Sequence, residues 1–260
     1  CQGNPDEFYS HPVGHRALIV FMGPIVNFIF VYLCFVFVFL NGFPSLSPVV
    51  GKVMSGYPAV TAGLQEGDRI LRIDDKAVTS WEDLQQAVMT SGGKTLKVAI
   101  LRAQQELPKE ITPKEQSSKN IFGEAQQVWL IGIQPKGDMV FLTYKPGEAF
   151  VKAGQQIVSI ITTTFKALLR VVVGGMEAKD ALAGPIRIFD VIKNAATMGF
   201  SAVVYIMGII STSLAIFNLF PVPVLDGGHI FFMALEKARG RPLPVKVEEG
   251  FVKAGFTLLI

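Results

Sequence analysis

Residues 17–40 read ALIVFMGPIVNFIFVYLCFVFVFL, 24 residues without a charged side chain. A helix needs about 20 predominantly apolar residues to cross a bilayer, so the stretch predicts a transmembrane helix. The apolar core of a cleaved signal peptide is shorter and sits nearer a true N-terminus. Working outward, residues 198–225, MGFSAVVYIMGIISTSLAIFNLFPVPVL, are also uncharged and predict a second span. Its prolines Pro221 and Pro223 should break the helix near its end, leaving irregular backbone within or near the membrane. A third apolar run follows Lys253, and residues 251–260 read as the start of a truncated span. The absence of an initiating Met and the stop inside an apolar run suggest a sequence incomplete at both ends.

Composition agrees with this pattern. Of 260 residues, 50% are apolar and only 17% charged, with mean hydropathy +0.42, against about 25% charge in ordinary soluble domains. Disorder is excluded by the apolar content, and a wholly soluble globule is disfavoured. A net charge of +3 is too small to point to nucleic acid. Two cysteines, Cys1 and Cys34, offer no disulfide framework. The expected fold is a multi-pass α-helical membrane protein with an inserted, mainly β domain.

That insert is residues 49–137, rich in charge and turn residues. Residues 144–195 form a helical region that is amphipathic or interfacial: Lys152, Lys166 and Arg170 stand among Phe150, Val151, Ile157, Ile160, Ile161, Phe165, Leu168 and Leu169 at helical spacing. Packing on the soluble insert is the alternative. Short cytoplasmic segments collect Lys and Arg. Arg16 precedes the first span, and Lys237, Arg239, Arg241 and Lys246 follow the second, whereas residues 41–51 carry no basic residue. Residues 1–16 are thus expected to be a cytoplasmic linker and 226–250 a cytoplasmic segment, with the insert on the far side of a bacterial cytoplasmic (inner) membrane.

Within the insert a strand begins at Val49, followed by Pro58-Ala59, Ala62-Gly63-Leu64, Gly67-Asp68, and Ile70 and Ile73 at strand spacing. Ser80 should cap a helix, with Asp83 three residues on as a near capping box and Leu84, Ala87 and Val88 as its apolar face. Residues 94–102 alternate as a closing strand. Over about forty residues this order resembles a PDZ domain, which implies binding of an extended peptide as an added strand. Leu130-Ile131-Gly132-Ile133 has the form of a carboxylate-binding loop. A steric filter that binds no peptide is the alternative, and the peptide contacts are not assignable by residue.

The chemistry is concentrated in Asn218-Leu219-Phe220-Pro221-Val222-Pro223-Val224-Leu225-Asp226-Gly227-Gly228-His229. An ionisable side chain at membrane depth is costly and is a functional candidate. Non-helical backbone there is tolerated only where it is buried in protein or lines a wet cavity. A carboxylate in such a pocket suits zinc, which takes carboxylate oxygens along with histidine nitrogens. On composition alone an equal reading makes Asp226 an interfacial cap for a helix starting near Gly228.

The chain resembles the site-two protease family of intramembrane zinc metalloproteases, and most closely its bacterial RseP-type members. Leu225, Asp226 and Gly227 match the LDG signature inside an Asn-x-x-Pro-x-Pro-x-Leu-Asp-Gly frame. Gly23, Pro24, Asn27 and Phe28 match Gly-Pro-x-x-Asn-Phe, and residues 182–186 match Ser-Gly-Pro-Ile with Ala183 in place of Ser. The order of span, PDZ, amphipathic helix and LDG span is also the family's, although many relatives carry two PDZ domains in tandem.

The resemblance implies zinc as cofactor, Asp226 as a metal ligand, and hydrolysis of peptide bonds inside the bilayer. Asn218, Pro221, Pro223, Gly227 and Asn27 would support the active site or hold the unwound substrate; interhelical hydrogen bonding is the alternative for both asparagines. Implied substrates are single-span membrane proteins such as anti-sigma factors or signal-peptide remnants, filtered by the PDZ domain. The family's HExxH, two zinc-binding histidines with a glutamate base, is absent. HPVGH at 11–15 has the histidine spacing, but Pro12 replaces Glu, and Pro and Gly14 disfavour a helix, so it reads as coincidence. His229 is read as interfacial or supporting. The chain as given is expected to be inactive, and a non-catalytic PDZ-bearing scaffold or pseudoprotease is the competing reading.

Overall fold

A computed structural model describes residues 11–119, 125–172, 185–222, 225–240, 250–251 and 253. It divides into two compact units. One comprises residues 1–37, 147–165 and 195–260, and the other residues 38–146 and 166–194.

The first unit is helical. Helix α1 spans Val13–Asn41, α4 spans Pro146–Val172, α5 Pro185–Met198, α6 Phe200–Asn218 and α7 Asp226–Arg239; α1, α4 and α5 are each shared with the second unit, α5 up to residue 194. Only α1 and α6 are long and apolar enough to span a bilayer among the described residues. Helix α1 starts four residues ahead of the expected residue 17. Its first turn takes in Gly14 and His15, because the Pro12 carbonyl accepts from the amides of His15 (2.9 Å) and Arg16 (3.2 Å). Proline just ahead of a helix loses nothing, since its amide would be unpaired there in any case. The helix therefore forms where Pro12 and Gly14 had argued against it.

One stripe of α1 is buried, with Val31, Cys34 and Phe35 at helical spacing, while Leu18, Met22, Val26, Ile29 and Leu33 are exposed. An exposed apolar stripe on a helix of this length suits lipid contact. Small residues let α6 approach α1: a Cβ on Gly208 would lie 2.7 Å from the Phe35 ring, and the Phe35 and Tyr205 rings are 5.8 Å apart. Such close backbone approach is how helices pack without a hydrophobic gradient. The single stretch expected over 198–225 is interrupted at Gly199, whose φ of +113° only glycine adopts readily, so α5 and α6 are separate helices.

Helix α4 buries Ala149 and Ala153 completely. Its Phe150 carbonyl accepts from the Tyr32 hydroxyl at 3.2 Å, and Gln156 donates to the Tyr205 hydroxyl at 3.1 Å. Residues 147–165 thus pack on α1 and α6. The start of α1 is tied to α7 by Arg16, whose guanidinium meets Glu236 at 2.6 Å with side-chain exposures of 9% and 18%.

The second unit holds the strands. A four-stranded antiparallel sheet runs β4 (Lys76–Ala77), β3 (Arg69–Ile73), β5 (Leu96–Arg102), β6 (Gln105–Ile111). Three two-stranded ribbons accompany it: β1 (Phe43–Leu46) with β10 (Met139–Leu142), β2 (Val50–Val53) with β9 (Ile133–Pro135), and β7 (Lys114–Lys119) with β8 (Ala125–Leu130). The expected closing strand, β5, is instead central, and five strands follow it. The first two of them, QELPKEI and KEQSSK, are polar, and β6 is edge-placed: Pro108 sits in it, and it pairs only with β5, where a missing amide costs no ladder bond. Strands β1 and β10 carry the unit beyond the expected 49–137 on both sides.

A short helix α2 spans Pro58–Thr61. Helix α3 spans Trp81–Thr90 with the full capping box expected: the Ser80 hydroxyl accepts from the Asp83 amide, and the Asp83 carboxylate accepts from the Ser80 amide. Leu84 and Val88 then face a core with Val50, Ile70, Val98, Ile100, Ile111 and Ile131. Asp68, 1% exposed, accepts from Arg102 Nε and Nη2 at 2.7 Å each and from the Gln65 amide at 2.8 Å. Arg102 also donates to the Gly63 carbonyl at 2.8 Å. One guanidinium thereby joins the Ala-Gly-Leu turn to the Gly-Asp turn, which gives the PDZ pattern its physical reason. Burial pushes the Asp68 carboxyl up, yet the Arg102 and Gln65 hydrogen bonds outweigh it and hold the group below the usual carboxylate range.

Candidate active site

Beyond Asn218 the chain turns tightly. The amides of Leu219 and Phe220 donate to Ile216 and Phe217 (3.0 Å each), Pro221 has none to give, and the Val222 amide returns to the Phe220 carbonyl at 2.7 Å. Pro223 lies outside the described residues. The Leu225 amide donates to Val222 at 2.9 Å, and the Leu225 carbonyl accepts from Gly228 and His229 at 2.9 and 3.4 Å. Leu225 is therefore the cap, in extended conformation and without a side-chain bond. Asp226 is the first helical residue, and the reading of it as cap to a helix near Gly228 is overturned.

Gly227 is fixed by space. A Cβ there would overlap the carbonyl oxygens of Leu219 and Phe220, because the turn folds back onto the start of α7. Asp226 is half-buried. Its Oδ2 lies 3.4 Å from where a Cβ on Gly23 would stand, so the LDG and Gly-Pro-x-x-Asn-Phe elements meet at bare backbone. Pro24, fully buried beside it, continues α1 without an amide of its own.

Asp226, Asn27 and Asn218 make no side-chain hydrogen bond or ion pair among the described residues. The interhelical bond considered for Asn27 is thus not formed there; the amide is half-buried and unspent. Pro221 is exposed, as is His229. His15 is exposed in the first turn of α1, with His11 just ahead of it and ring centroids 6.3 Å apart. Asp226 stands in the first turn of α7, where the helix macrodipole favours a negative ligand group, and its side-chain oxygens are left open among the described residues. That fits one zinc ligand. Zinc takes four ligands, at least three of them from protein, and the described residues contain no group of three His, Cys, Asp or Glu. They supply one ligand and do not complete a site.

A second candidate lies in the β unit. A narrow cavity of about 80 Å³ runs between α3 and residues 129–133, with Trp81, Leu84, Val88, Trp129 and Gly132 among its walls. Gly132 has φ +82° and is pressed by the Tyr57 side chain. A Cβ on Gly93 would lie 2.5 Å from the Trp129 indole, so Trp129 covers the C-terminal end of α3. The loop at 130–133 was legible in sequence, whereas Trp81 and Trp129 as groove walls were not, since nothing local marks them.

The model of peptidase family M50 matches residues 2–260. A protein of Agrobacterium fabrum named provisionally as a zinc metalloprotease is 36% identical over 249 residues, 94% of this chain and 66% of its own length. The zinc metalloprotease RasP of Bacillus licheniformis is 32% identical over 259 residues, 98% of this chain and 58% of its own. The PDZ domain of an SdrC-like protein of Listeria monocytogenes overlaps 34% of this chain and 84% of that one, at 23% identity and TM-score 0.27, too low to bear on the fold. The chain spans roughly two thirds or less of these curated relatives. With the LDG turn seated on Gly23 of the second motif, and the family match running the length of the sequence, the chain belongs to peptidase family M50, the site-two protease family of zinc metalloproteases.

Proposed function

We propose that this protein is an intramembrane protease that cuts single-span membrane substrates, with Asp226 as one zinc ligand and the PDZ-like unit as a filter on the outer side of a bacterial inner membrane. The observation that carries this reading is the Asp226 carboxylate, half-buried at the contact of two motif helices and free of any partner among the described residues. Zinc, when bound, would polarise the scissile carbonyl and lower the pKa of its water. Asp226 would contribute a ligand oxygen, Gly227 and Gly23 would keep the approach clear, and the amides of Asn27 and Asn218, unspent among the described residues, would take the main chain of an unwound substrate. The remaining ligands and a general base are not offered by the described residues, so activity belongs to the full-length protein.

The orientation rests on the basic residues Lys237 and Arg239 at the end of α7 and on the Arg16–Glu236 pair, which brings the start of α1 to that same end. The test uses full-length protein in proteoliposomes with a single-span substrate, with and without its bulky outer domain. Asp226→Asn should abolish cleavage while insertion persists. Deleting the PDZ-like unit should permit cleavage of the untrimmed substrate and spare that of the trimmed one. If deletion abolished cleavage of the trimmed substrate with zinc retained, the filter would be wrong and delivery would replace it.

A further inference from the structure

The helical unit contains one more feature beside Asp226. A cavity of about 240 Å³ opens between α1, α4 and the end of α6. Buried Ile216 lies at its floor, with Phe28 and Ile161 at its sides and Leu219 and Phe220 along the turn. Exposed Phe165 and Pro221 form the rim, the Phe165 and Phe220 ring centroids 6.1 Å apart. No lining side chain carries a polar group.

Resting on the proposed function, we infer that this cavity is the specificity pocket of the protease, seating a bulky apolar side chain of the substrate, such as Leu, Met or Phe, next to the bond that is cut. Three observations converge on that occupant. A cavity of about 150 Å³ with this kind of lining holds a benzene ring, so the volume accommodates any of the three side chains. The pocket wall and the carboxylate share one layer of backbone, since the carbonyls of Leu219 and Phe220 touch Gly227, the neighbour of Asp226. The two unspent amides belong to the chain neighbours of lining residues: Asn27 precedes Phe28 on α1, and Asn218 precedes Leu219. Main-chain bonds that hold an extended strand, with a pocket for one side chain, are the usual division between affinity and specificity in peptide recognition. A lipid acyl chain would fill the same volume but has no use for the two amides.

The test uses full-length protein in proteoliposomes and a single-span substrate whose cut site is mapped by mass spectrometry. The residues flanking the cut are varied among Leu, Phe, Met, Ala and Asn. At one flanking position Leu or Phe should exceed Ala in kcat/KM by about tenfold or more. Ile161→Trp, which fills the pocket, should bring that ratio close to one, and Phe165→Ala, which opens the rim, should raise the preference for Phe over Leu. A photo-activatable leucine at the preferred position should label peptides containing Phe165 or Phe220. An unchanged ratio in both variants, or labelling elsewhere, overturns the assignment. So does a changed dependence on acyl-chain length with the side-chain ratio intact, which would mark a lipid site. Absence of cleavage by the wild type would instead bring down the proposed function, and the pocket's role with it.

Discussion

Asp68 and Asp226 each stand beside a glycine in a motif, one in the β unit and one in the helical unit, and their surroundings differ completely. Asp68 is buried and spent on Arg102 and the Gln65 amide. Asp226 is half-buried at a helix start and, among the described residues, bonded to nothing. The same contrast holds across the units. In the β unit Asp83 and Ser80 cap one another, and Ser45 donates to Glu82 at 2.6 Å, whereas Asn27 and Asn218 keep their amides open. Polar groups that bind each other hold a fold together; those left open at membrane depth are available for chemistry.

That contrast can be broken by substitution. The largest expected effect is at Gly227→Ala, where the added methyl meets two carbonyl oxygens and must move the turn or the start of α7. A displacement of about 1 Å at a reaction centre costs on the order of 100-fold in rate, so cleavage by the full-length protein should fall by that much or more. Unaltered cleavage would mean that the LDG turn does not position the site. Unfolding of the β unit should not respond, and it can be watched separately because both tryptophans, Trp81 and Trp129, lie in it.

Asp68→Ala should do the reverse. Loss of the charge-assisted bonds should destabilise the β unit by about 2 kcal/mol, read as an earlier tryptophan fluorescence transition in urea, with cleavage of trimmed substrate retained. A smaller effect is expected from acid. Burial raises the Asp83 carboxyl, but the hydroxyls and amides of Thr79 and Ser80 outweigh it, so Asp83, like Asp68, titrates below its ordinary value. A depressed folded-state pKa stabilises above the unfolded value of about 3.9 and loses that contribution as pH falls through the folded value. The urea midpoint of the β unit should therefore be flat near neutrality and decline below about pH 4. Asp68→Ala should lessen that decline.

The helical unit was legible in the sequence because its signals are local. A run of 24 uncharged residues dictates a span, and the Pro-rich frame dictates a break. What the frame did not reveal was the start of the next helix at Asp226, set by the Leu225 cap. Nor did it show the reason for Gly227, a contact with residues seven and eight positions earlier in the chain. In the β unit the capping box at Ser80 and Asp83 was readable from spacing. Strands β6 to β8 were missed because QELPKEI and KEQSSK carry little apolar alternation and are held by pairing with a neighbour instead of by burial. The role of Arg102 is non-local, 34 residues from Asp68, and its sequence neighbourhood gives no sign of it.

Zinc content of the full-length protein tests the role of Asp226 most directly. Wild type and Asp226→Asn would be purified in parallel, dialysed against a competing chelator, and compared by metal analysis and zinc X-ray absorption. One zinc per chain is expected in the wild type, with an oxygen ligand at about 2.0 to 2.2 Å, and loss of the metal is expected in Asp226→Asn while the helical and β units remain folded. Equal zinc retention with an unchanged absorption spectrum in the variant would show that Asp226 is not a ligand.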